Sequence, residues 1–422
     1  MDKRVLENII WDQREELDAK RNLKLIHREA EDLIDFQSPL AQVVIGVRRS
    51  GKSTLCYNAL MANKIKFAYF NLDDERLLDL KSDDLNDLLE VLYKVYENFD
   101  CIFIDEIQNI PEWYLFVNRL LRRGLKLLIT GSNAKLLSGE LATHLTGRHH
   151  TITLYPFSFK EYCQYRNIDT HSRSTKSTGI IRSAFDEYMK QGGFPELLSV
   201  RDKRDYVINL VDSIIKRDIF VRFKIKHKAT FEKLSHNILN ESPCLVQYQN
   251  LQESFGLGSV HTVKNYVHYL TEAYLLVGLH RFSFKSRQRL ASDKVYPIDV
   301  ALMNNREDAF SGENLGLRLE VIVYIELLRR YKPMGYDIYF FNDRSFECDF
   351  LVCNGNTIKM AIQVSYDISS EKTYKREIKG LLEMASRTKP QSLLLLTDHD
   401  YKDIEISGHQ IAIRPVYDYF LH

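Results

Sequence analysis

The sequence lacks the features that mark membrane, secreted and zinc-thiolate proteins. No stretch contains the roughly 18 consecutive apolar residues that a membrane-spanning helix needs, and the charged N-terminal segment has no apolar core of the kind found in signal peptides. The six cysteines form no C-x-x-C pair, which argues against a zinc site. Most of them lie inside apolar runs, which predicts buried, reduced thiols. We therefore expect a cytoplasmic protein with no membrane partner.

A strong net charge is absent as well. The 422 residues include 58 Lys and Arg against 57 Asp and Glu, so the overall charge gives no argument for a nucleic-acid or lipid partner. Any surface that binds polyanions must be local. The hydrophobic fraction of 45% and the charged fraction of 27% are typical of folded globular proteins. At about 100–200 residues per domain, the length predicts roughly two to four domains.

Short apolar runs alternate with helical patterns in the first part of the chain. Alternation of this kind predicts an α/β fold, in which helices cover both faces of a parallel sheet. The pattern changes near Pro156, after which helical and then mixed segments follow. The expected domains are a helical segment at 1–38, a core at 39–155, a helical lid or linker at 156–228, a winged helix-turn-helix at 229–295 and an α/β C-terminal domain at 296–422.

Residues 46–53 match a phosphate-binding loop. They spell Gly-Val-Arg-Arg-Ser-Gly-Lys-Ser, the pattern G-x-x-x-x-G-K-[ST], directly after a strand-like run. Glycine lets the backbone curl so that successive N–H groups face a phosphate chain, and the helix that follows adds its N-terminal dipole. Lys52 is expected at the β- and γ-phosphates, and the Ser53 hydroxyl on Mg²⁺. The sequence therefore predicts an Mg-ATP site, with the candidate nucleotide contacts Gly46, Arg48, Arg49, Ser50, Gly51, Lys52, Ser53 and Thr54.

Further candidate residues follow three later strand-like or helix-like runs. Beside a phosphate loop, Asp105 is expected to hold the Mg²⁺ shell, and Glu106 to orient and deprotonate the attacking water. Ser132 or Asn133 would touch the γ-phosphate or the water, although a turn that caps the next helix explains them equally well. Arg148 is either an arginine finger, on the same or a neighbouring subunit, or an ordinary surface arginine. Spacing alone does not favour the finger.

Six short motifs follow one another along the chain. They are Gly-Val-Arg-Arg-Ser-Gly-Lys-Ser-Thr (46–54), Ile-Asp-Glu-Ile-Gln (104–108), Thr-Gly-Ser-Asn (130–133), Thr-Gly-Arg (146–148), Pro-Phe-Ser-Phe-Lys-Glu-Tyr (156–162) and Gly-Gly-Phe-Pro-Glu (192–196). Together they resemble, over nearly the whole chain, a bacterial and archaeal group of AAA+-like ATPases with a C-terminal domain of unknown function. The resemblance implies an AAA+-type core, a helical and winged-helix middle and a restriction endonuclease-like C-terminal domain. It also favours Arg148 as the finger.

The middle of the chain contains a candidate DNA-binding element. Helical patterns at 231–239, 247–255 and 259–272, followed by a strand-like run, predict a winged helix-turn-helix. Its outward polar and basic residues suit the phosphates of double-stranded DNA, and a domain that only packs or joins subunits explains them equally well. They are His261, Thr262, Lys264, Asn265, His268, Arg281, Lys285, Arg287, Arg289 and Lys294. A second basic run, 216–233, fits phosphate binding or a solvated helix face.

The order of segments in the C-terminal domain resembles the PD-(D/E)xK nuclease core. Asp349 and Glu320 match the acids that bind Mg²⁺ in such enzymes. The third strand has Gln-Val-Ser (363–365) where Glu-x-Lys is expected, so both an acid and the ammonium group are missing. The candidate replacements on the next helix are Lys372 and Lys375. We expect a nuclease-like fold without robust cleavage.

Two functions fit these residues. The first is an AAA+ ATPase that hydrolyses Mg-ATP and couples hydrolysis to double-stranded DNA. The second is a nucleotide-gated signalling or assembly switch that acts on a protein partner and forms a nucleotide-dependent homo-oligomer. A response of the hydrolysis rate to DNA separates the two.

Overall fold

The computed structural model describes residues 1–19, 25–132, 144–145, 147–283, 293–304, 314–343 and 345–422. The chain divides into two compact units, Met1–Leu154 and Tyr155–His422. Among the described residues, no helix is long and apolar enough to cross a membrane. The finer domain boundaries expected from the sequence stay predictions within these units.

Among the described residues, five parallel strands form the sheet of the N-terminal unit. They are β1 (Ala41–Ile45), β2 (Phe67–Asn71), β3 (Cys101–Asp105), β4 (Lys126–Gly131) and β5 (His149–Thr153). Their spatial order is β2-β3-β4-β1-β5, and every neighbouring pair is parallel. The long helices of this unit are α1 (Lys3–Ala19), α2 (Lys52–Ala62), α3 (Leu85–Tyr96) and α4 (Trp113–Arg122). The predicted parallel α/β core is confirmed.

The strands of this sheet are apolar because helices cover them. β1 and β3 are buried at every position, as expected for parallel strands that lie inside a protein. α1 packs against α3 and β2. Since the strands are parallel, the carboxyl ends of β1, β3 and β4 lie at one edge of the sheet, which is where ligands bind in open α/β sheets.

Helices dominate the first half of the C-terminal unit. They are α5 (Phe159–Tyr165), α6 (Thr175–Gln191), α7 (Lys203–Ser213), a π-helical stretch (Ile214–Ile219), α8 (Lys228–Glu241), α9 (Tyr248–Ser254) and α10 (Val260–Glu272). The last three lie where the sequence predicts the helices of a winged helix-turn-helix. The hairpin that follows belongs to a larger sheet, because its first strand also pairs in parallel with a strand of the C-terminal region.

In the part of the chain that the structure describes, that larger sheet has nine strands of mixed direction. In spatial order they are β13 (Lys402–Ile406), β14 (His409–Pro415), β12 (Ser392–Thr397), β11 (Thr357–Val364), β10 (Glu347–Asn354), β9 (Asp337–Asn342), β7 (Leu276–Arg281), β8 (Asp293–Pro297) and β6 (Cys244–Leu245). The helices α11 (Leu315–Tyr331) and α12 (Glu371–Thr388) pack on it, and α13 (Val416–Leu421) follows its last strand.

Candidate functional site

The phosphate loop connects the end of β1 to the start of α2. Its first residue, Gly46, has a φ of 149°, and a Cβ atom at this position would lie 2.1 Å from the carbonyl oxygen of Leu154. Gly51, with a φ of 94°, directly precedes α2. Both positions therefore require glycine, because side chains at such backbone angles are strained and the first has no space for one. The two glycines of the motif shape a tight loop at the N-terminus of an 11-residue helix.

Polar groups inside this loop are buried and incompletely paired. Ser50 is fully buried, and its Oγ has no hydrogen-bond partner in the described part of the chain. The ammonium group of Lys52, only 5% exposed, donates to the carbonyl oxygen of Val47 at 3.3 Å. A buried hydroxyl without a partner and a buried cation at a helix N-terminus are suited to phosphate oxygens. The residues present therefore fit a nucleotide.

Side-chain oxygens from α2, β3 and β4 meet beside the loop. The buried carboxylate of Asp105 accepts a hydrogen bond from Ser53 Oγ at 2.9 Å, and Thr130 Oγ1 donates to the same oxygen. Tyr69 donates to its other oxygen at 3.4 Å. Burial, together with the charge of Glu106, raises the pKa of Asp105.

The pair of Ser53 and Asp105 fits Mg²⁺. A hydroxyl and one carboxylate are ligands typical of nucleotide-bound Mg²⁺, which keeps several waters and takes further oxygens from phosphates. In the described ranges, no group of three or more His, Cys, Asp or Glu residues is arranged to hold a metal. A cation here would therefore depend on the nucleotide for its remaining ligands.

Glu106 lies where β3 ends, held by groups from three elements. Its side chain is 14% exposed, and Lys52 Nζ lies 3.7 Å from its Oε1. The backbone N–H of Ser132 donates to its Oε2 at 3.2 Å, and the Gln108 amide donates to the same oxygen. Although burial favours the protonated form, Lys52 and the two hydrogen-bond donors lower the pKa of Glu106. The carboxylate is therefore in the ionised form that a general base requires.

Sequence reasoning missed Gln108. This residue lies in the short 3-10 turn Ile107–Asn109 and contacts both Glu106 and Ser132. Gln108 ends the motif 104–108, but that motif assigns it no role, and the remaining signal is one polar residue two positions after the candidate base. Only the folded turn shows that the amide faces Glu106.

The remaining candidates for nucleotide contacts belong to the loop, to the start of α2 and to the segment that follows β4. Arg48 is partly buried and lies 3.6 Å from Asp73 in an ion pair. Arg49 and Thr54 are exposed, one in the loop and the other in the first turn of α2. Ser132 is buried at the end of β4, and Asn133 lies outside the described residues. The roles of all five stay predictions.

Arg148 lies at the opposite edge of the sheet from the phosphate loop. β1 and β5 run in parallel, and the backbone N–H of Ala41, which begins β1, donates to the carbonyl oxygen of Arg148 at 3.0 Å. The loop begins five residues beyond that end of β1, or about 17 Å along the strand, which exceeds the length of an extended arginine side chain. Arg148 is therefore too far away to serve the nucleotide of its own subunit. Of the two finger roles, only the one at a neighbouring subunit fits this geometry.

Several residues expected to bind DNA phosphates are engaged inside the fold. Arg281 donates to the carbonyl oxygen of Asn342, and Lys294 lies 2.6 Å from the carboxylate of Glu320. Lys285, Arg287 and Arg289 lie outside the described residues. By contrast, the face of α10 is accessible, with three exposed residues: His261, Lys264 and His268.

The acids expected from the nuclease resemblance, Glu320 and Asp349, lie near a cation that comes from an unexpected strand. Gln363 accepts from the backbone N–H of Asp349 at 2.7 Å and donates to Glu377 at 2.8 Å. Burial and the charge of Glu320 raise the pKa of Asp349. The nearby cation is Lys294 of β8, which is distant in sequence and therefore had no local signal. The candidates Lys372 and Lys375 are exposed, and Lys375 pairs with Glu371.

Comparisons with known proteins agree with the phosphate-loop geometry. A model of the AAA domain matches residues 38–163, and a model of a domain of unknown function, DUF8612, matches residues 182–312. The solved Walker-type ATPase PABY2304 of Pyrococcus abyssi covers 67% of this chain and 96% of its own, at 14% identity and a TM-score of 0.42.

Two relatives match along nearly their whole lengths. The uncharacterized protein MJ1544 of Methanocaldococcus jannaschii is 31% identical over 100% of this chain and 96% of its own length. An uncharacterized protein of Haemophilus influenzae is 30% identical over 92% of this chain and 97% of its own. These relatives show that the chain belongs to their family, and its residues 38–163, which include the phosphate loop, match the AAA domain.

Proposed function

We propose that this chain hydrolyses Mg-ATP at the loop 46–53, with Glu106 as the general base. One observation carries the proposal: the ends of β1, β3 and β4 bring the ammonium of Lys52, the Asp105–Ser53 pair and the carboxylate of Glu106 into one buried network. These are the groups that phosphoryl transfer to water requires. Few structural roles explain two adjacent buried acids beside a buried lysine.

Each side chain of the network has a distinct task. Lys52 exchanges its contact with Glu106 for phosphate oxygens, because an ammonium binds phosphate as a point charge. Ser53 and Asp105 hold Mg²⁺, which neutralises negative charge on the phosphates when it is bound. Glu106, released from Lys52, orients a water molecule and accepts its proton. Burial of the network excludes bulk water and strengthens these interactions.

A phosphate-release assay on the purified full chain tests this proposal. Lys52→Ala removes the cation and should abolish ATP binding. Glu106→Gln keeps the shape of the base but cannot accept the proton, so it should bind ATP and turn it over at least about 100-fold more slowly. Wild-type turnover in Lys52→Ala would show that any ATPase activity resides elsewhere, and wild-type turnover in Glu106→Gln would show that Glu106 is not the general base.

We further propose that hydrolysis is coupled to double-stranded DNA. The basic segment is defined here as residues 216–233, which include seven Lys and Arg against two acids, whereas the whole chain has a net charge of only +1. Its exposed cations are Lys216, Arg217, Lys224, Lys226, Lys228 and Lys233. Clustered cations of this kind bind phosphate backbones through the release of counterions.

The basic segment adjoins the exposed face of α10. Phe223 stacks on Tyr269 of α10, with ring centroids 3.9 Å apart and an angle of 13° between the planes. Lys264, on the same helix, lies over the ring of Tyr248 and remains exposed. The stacking places two polar or basic surfaces side by side, which enlarges the area available to a DNA duplex. This arrangement supports DNA binding over a solvated helix face.

Fluorescence anisotropy with a labelled duplex, over a series of salt concentrations, tests the DNA proposal. The double variant Lys224→Glu, Lys226→Glu should weaken binding and lower the salt slope by about two. The control pair Lys372→Glu, Lys379→Glu carries the same charge change on exposed positions of α12 and should bind DNA like the wild type. Equal binding by all three proteins would contradict the assignment of this surface.

Arg148 favours a second candidate function, a nucleotide-gated assembly switch acting on a protein partner. A finger that serves only a neighbouring subunit makes assembly and hydrolysis depend on each other. Measurement of the particle mass with and without Mg-ATP separates this candidate from DNA coupling. Assembly that requires nucleotide, together with turnover indifferent to DNA, would favour the switch.

A further inference from the structure

The amide nitrogen of Gln108 donates to Glu106, whereas the amide oxygen has no donor among the described residues. Its Nε2 donates to Glu106 Oε2 and lies 3.4 Å from Ser132 Oγ. Its Oε1 is buried and accepts no hydrogen bond from the described residues. A buried acceptor without a donor is uncommon, because it has lost water without a replacement. The donor that this oxygen lacks is therefore expected to arrive with a ligand.

The Oε1 atom distinguishes two possible roles of Gln108. A purely structural amide, which only fixes the Glu106 side chain, needs the Nε2 contact alone. An amide that also positions a reactant needs a free acceptor beside the base, which is what the geometry provides. Water has two protons, so it donates one to the carboxylate of Glu106 and the other to the Oε1 of Gln108. A water held by two acceptors has a fixed orientation.

We propose that Gln108 is a positioning residue for ATP hydrolysis, which holds Glu106 through Nε2 and the attacking water through Oε1. This inference rests on the proposed ATPase function. In the step, the water oxygen forms a bond to the γ-phosphorus while one of its O–H bonds breaks and that proton passes to Glu106. The bond from the γ-phosphorus to the bridging oxygen breaks, and its electron pair leaves with ADP. The second water proton stays on the new phosphate oxygen, next to Gln108.

Three variants of the full-length protein test the proposal in an ATP hydrolysis assay with a parallel ATP-binding titration. Gln108→Met keeps the length and packing of the side chain but removes the amide. Gln108→Asn keeps the amide on a shorter stem. Asn109→Leu is the matched control, because the Asn109 amide lies in the same turn but bonds the carbonyl oxygen of Leu72 at 2.9 Å, away from Glu106.

The expected result is a separation of turnover from binding. Gln108→Met should lower kcat at least about tenfold and leave the Kd for ATP within about twofold, because no nucleotide contact is removed. Gln108→Asn should recover part of the lost kcat, and Asn109→Leu should keep the wild-type kcat. A merely structural role would change ATP binding and thermal stability in Gln108→Met together with turnover, and the shorter amide would not rescue it.

Two outcomes overturn the inference in distinguishable ways. If the wild type hydrolyses ATP, Glu106→Gln does not, and Gln108→Met retains full kcat, then Gln108 has no positioning role while the ATPase proposal stands. If the wild type shows no turnover at the loop 46–53, both proposals fail. Should Gln108→Met not fold, a wild-type kcat in Gln108→Asn with unchanged KM would still contradict the inference, because its shorter amide cannot reach both partners.

Discussion

Gly46→Ala is the substitution whose effect the structure defines most sharply. A Cβ atom at this position would lie 2.1 Å from the carbonyl oxygen of Leu154, whereas carbon and oxygen normally approach to about 3.3 Å. The backbone must therefore move by about 1 Å. The backbone N–H of Leu154 also donates to the carbonyl oxygen of Ile45 at 2.7 Å. The end of β5 and the loop therefore cannot separate without breaking this hydrogen bond.

The expected loss of stability in Gly46→Ala has two causes. Displacement of packed backbone costs about 1–3 kcal/mol, and alanine at a φ of 149° adds about 1–3 kcal/mol of strain. We expect Gly46→Ala to lower the free energy of unfolding of the N-terminal unit by about 3 kcal/mol. A phosphate loop displaced by about 1 Å should also lose about 100-fold in turnover.

The assay uses the two tryptophans of the chain. Trp11 and Trp113 both lie in the N-terminal unit, so their fluorescence during urea unfolding reports on that unit. Gly124→Ala is the matched control, because its φ is 78° but no atom lies within 4 Å of the added Cβ. It should cost only about 1 kcal/mol and bind ATP like the wild type. Equal unfolding midpoints and ATP affinities for the two variants would refute the reasoning.

Three further predictions concern other parts of the molecule. Burial raises the pKa of Asp299 to about 6, so the stability that its protonated form contributes is present below about pH 4 and is lost as the pH rises through 6. Urea unfolding at pH 4 and pH 7 should therefore show a loss of about 3 kcal/mol in the free energy of unfolding. This loss should be absent in Asp299→Asn. Arg148→Ala should lower turnover about 1000-fold, and mixing it with Glu106→Gln subunits should restore part of the activity; no recovery would contradict action between subunits. Lys294→Met breaks a largely buried ion pair and should destabilise the C-terminal unit by about 3 kcal/mol. Lys375→Met, which breaks an exposed pair, should change stability by less than about 0.5 kcal/mol. Equal effects of the two variants in calorimetry would show that burial does not determine how much an ion pair contributes to stability.

The sequence predicted the features that depend on neighbouring residues. The loop 46–53 is recognisable because its glycines, Lys52 and Ser53 act through one short stretch of backbone. The parallel sheet is recognisable because strands covered on both faces must be apolar. Asp105 and Glu106 follow from the position of two acids at the end of such a strand.

The features that the sequence did not predict depend on how distant segments pair. The position of Arg148 follows from the parallel register of β1 and β5, which no local pattern encodes. Lys294 lies beside Glu320 only because β8 joins the nine-stranded sheet, so the expectation that its side chain faces outward is wrong, while its role as a DNA contact stays a prediction. That Gln108 Oε1 lacks a donor among the described residues becomes visible only when the fold has placed the groups around it.

The rate of ATP hydrolysis by the wild type and Glu106→Gln, measured side by side with ATP affinity, tests whether the loop 46–53 and Glu106 form an ATPase site. We expect clear Mg²⁺-dependent turnover by the wild type, and a loss of at least about 100-fold in the variant at unchanged ATP affinity. Equal rates in the two proteins, or no turnover by a wild type that binds Mg-ATP, would contradict it.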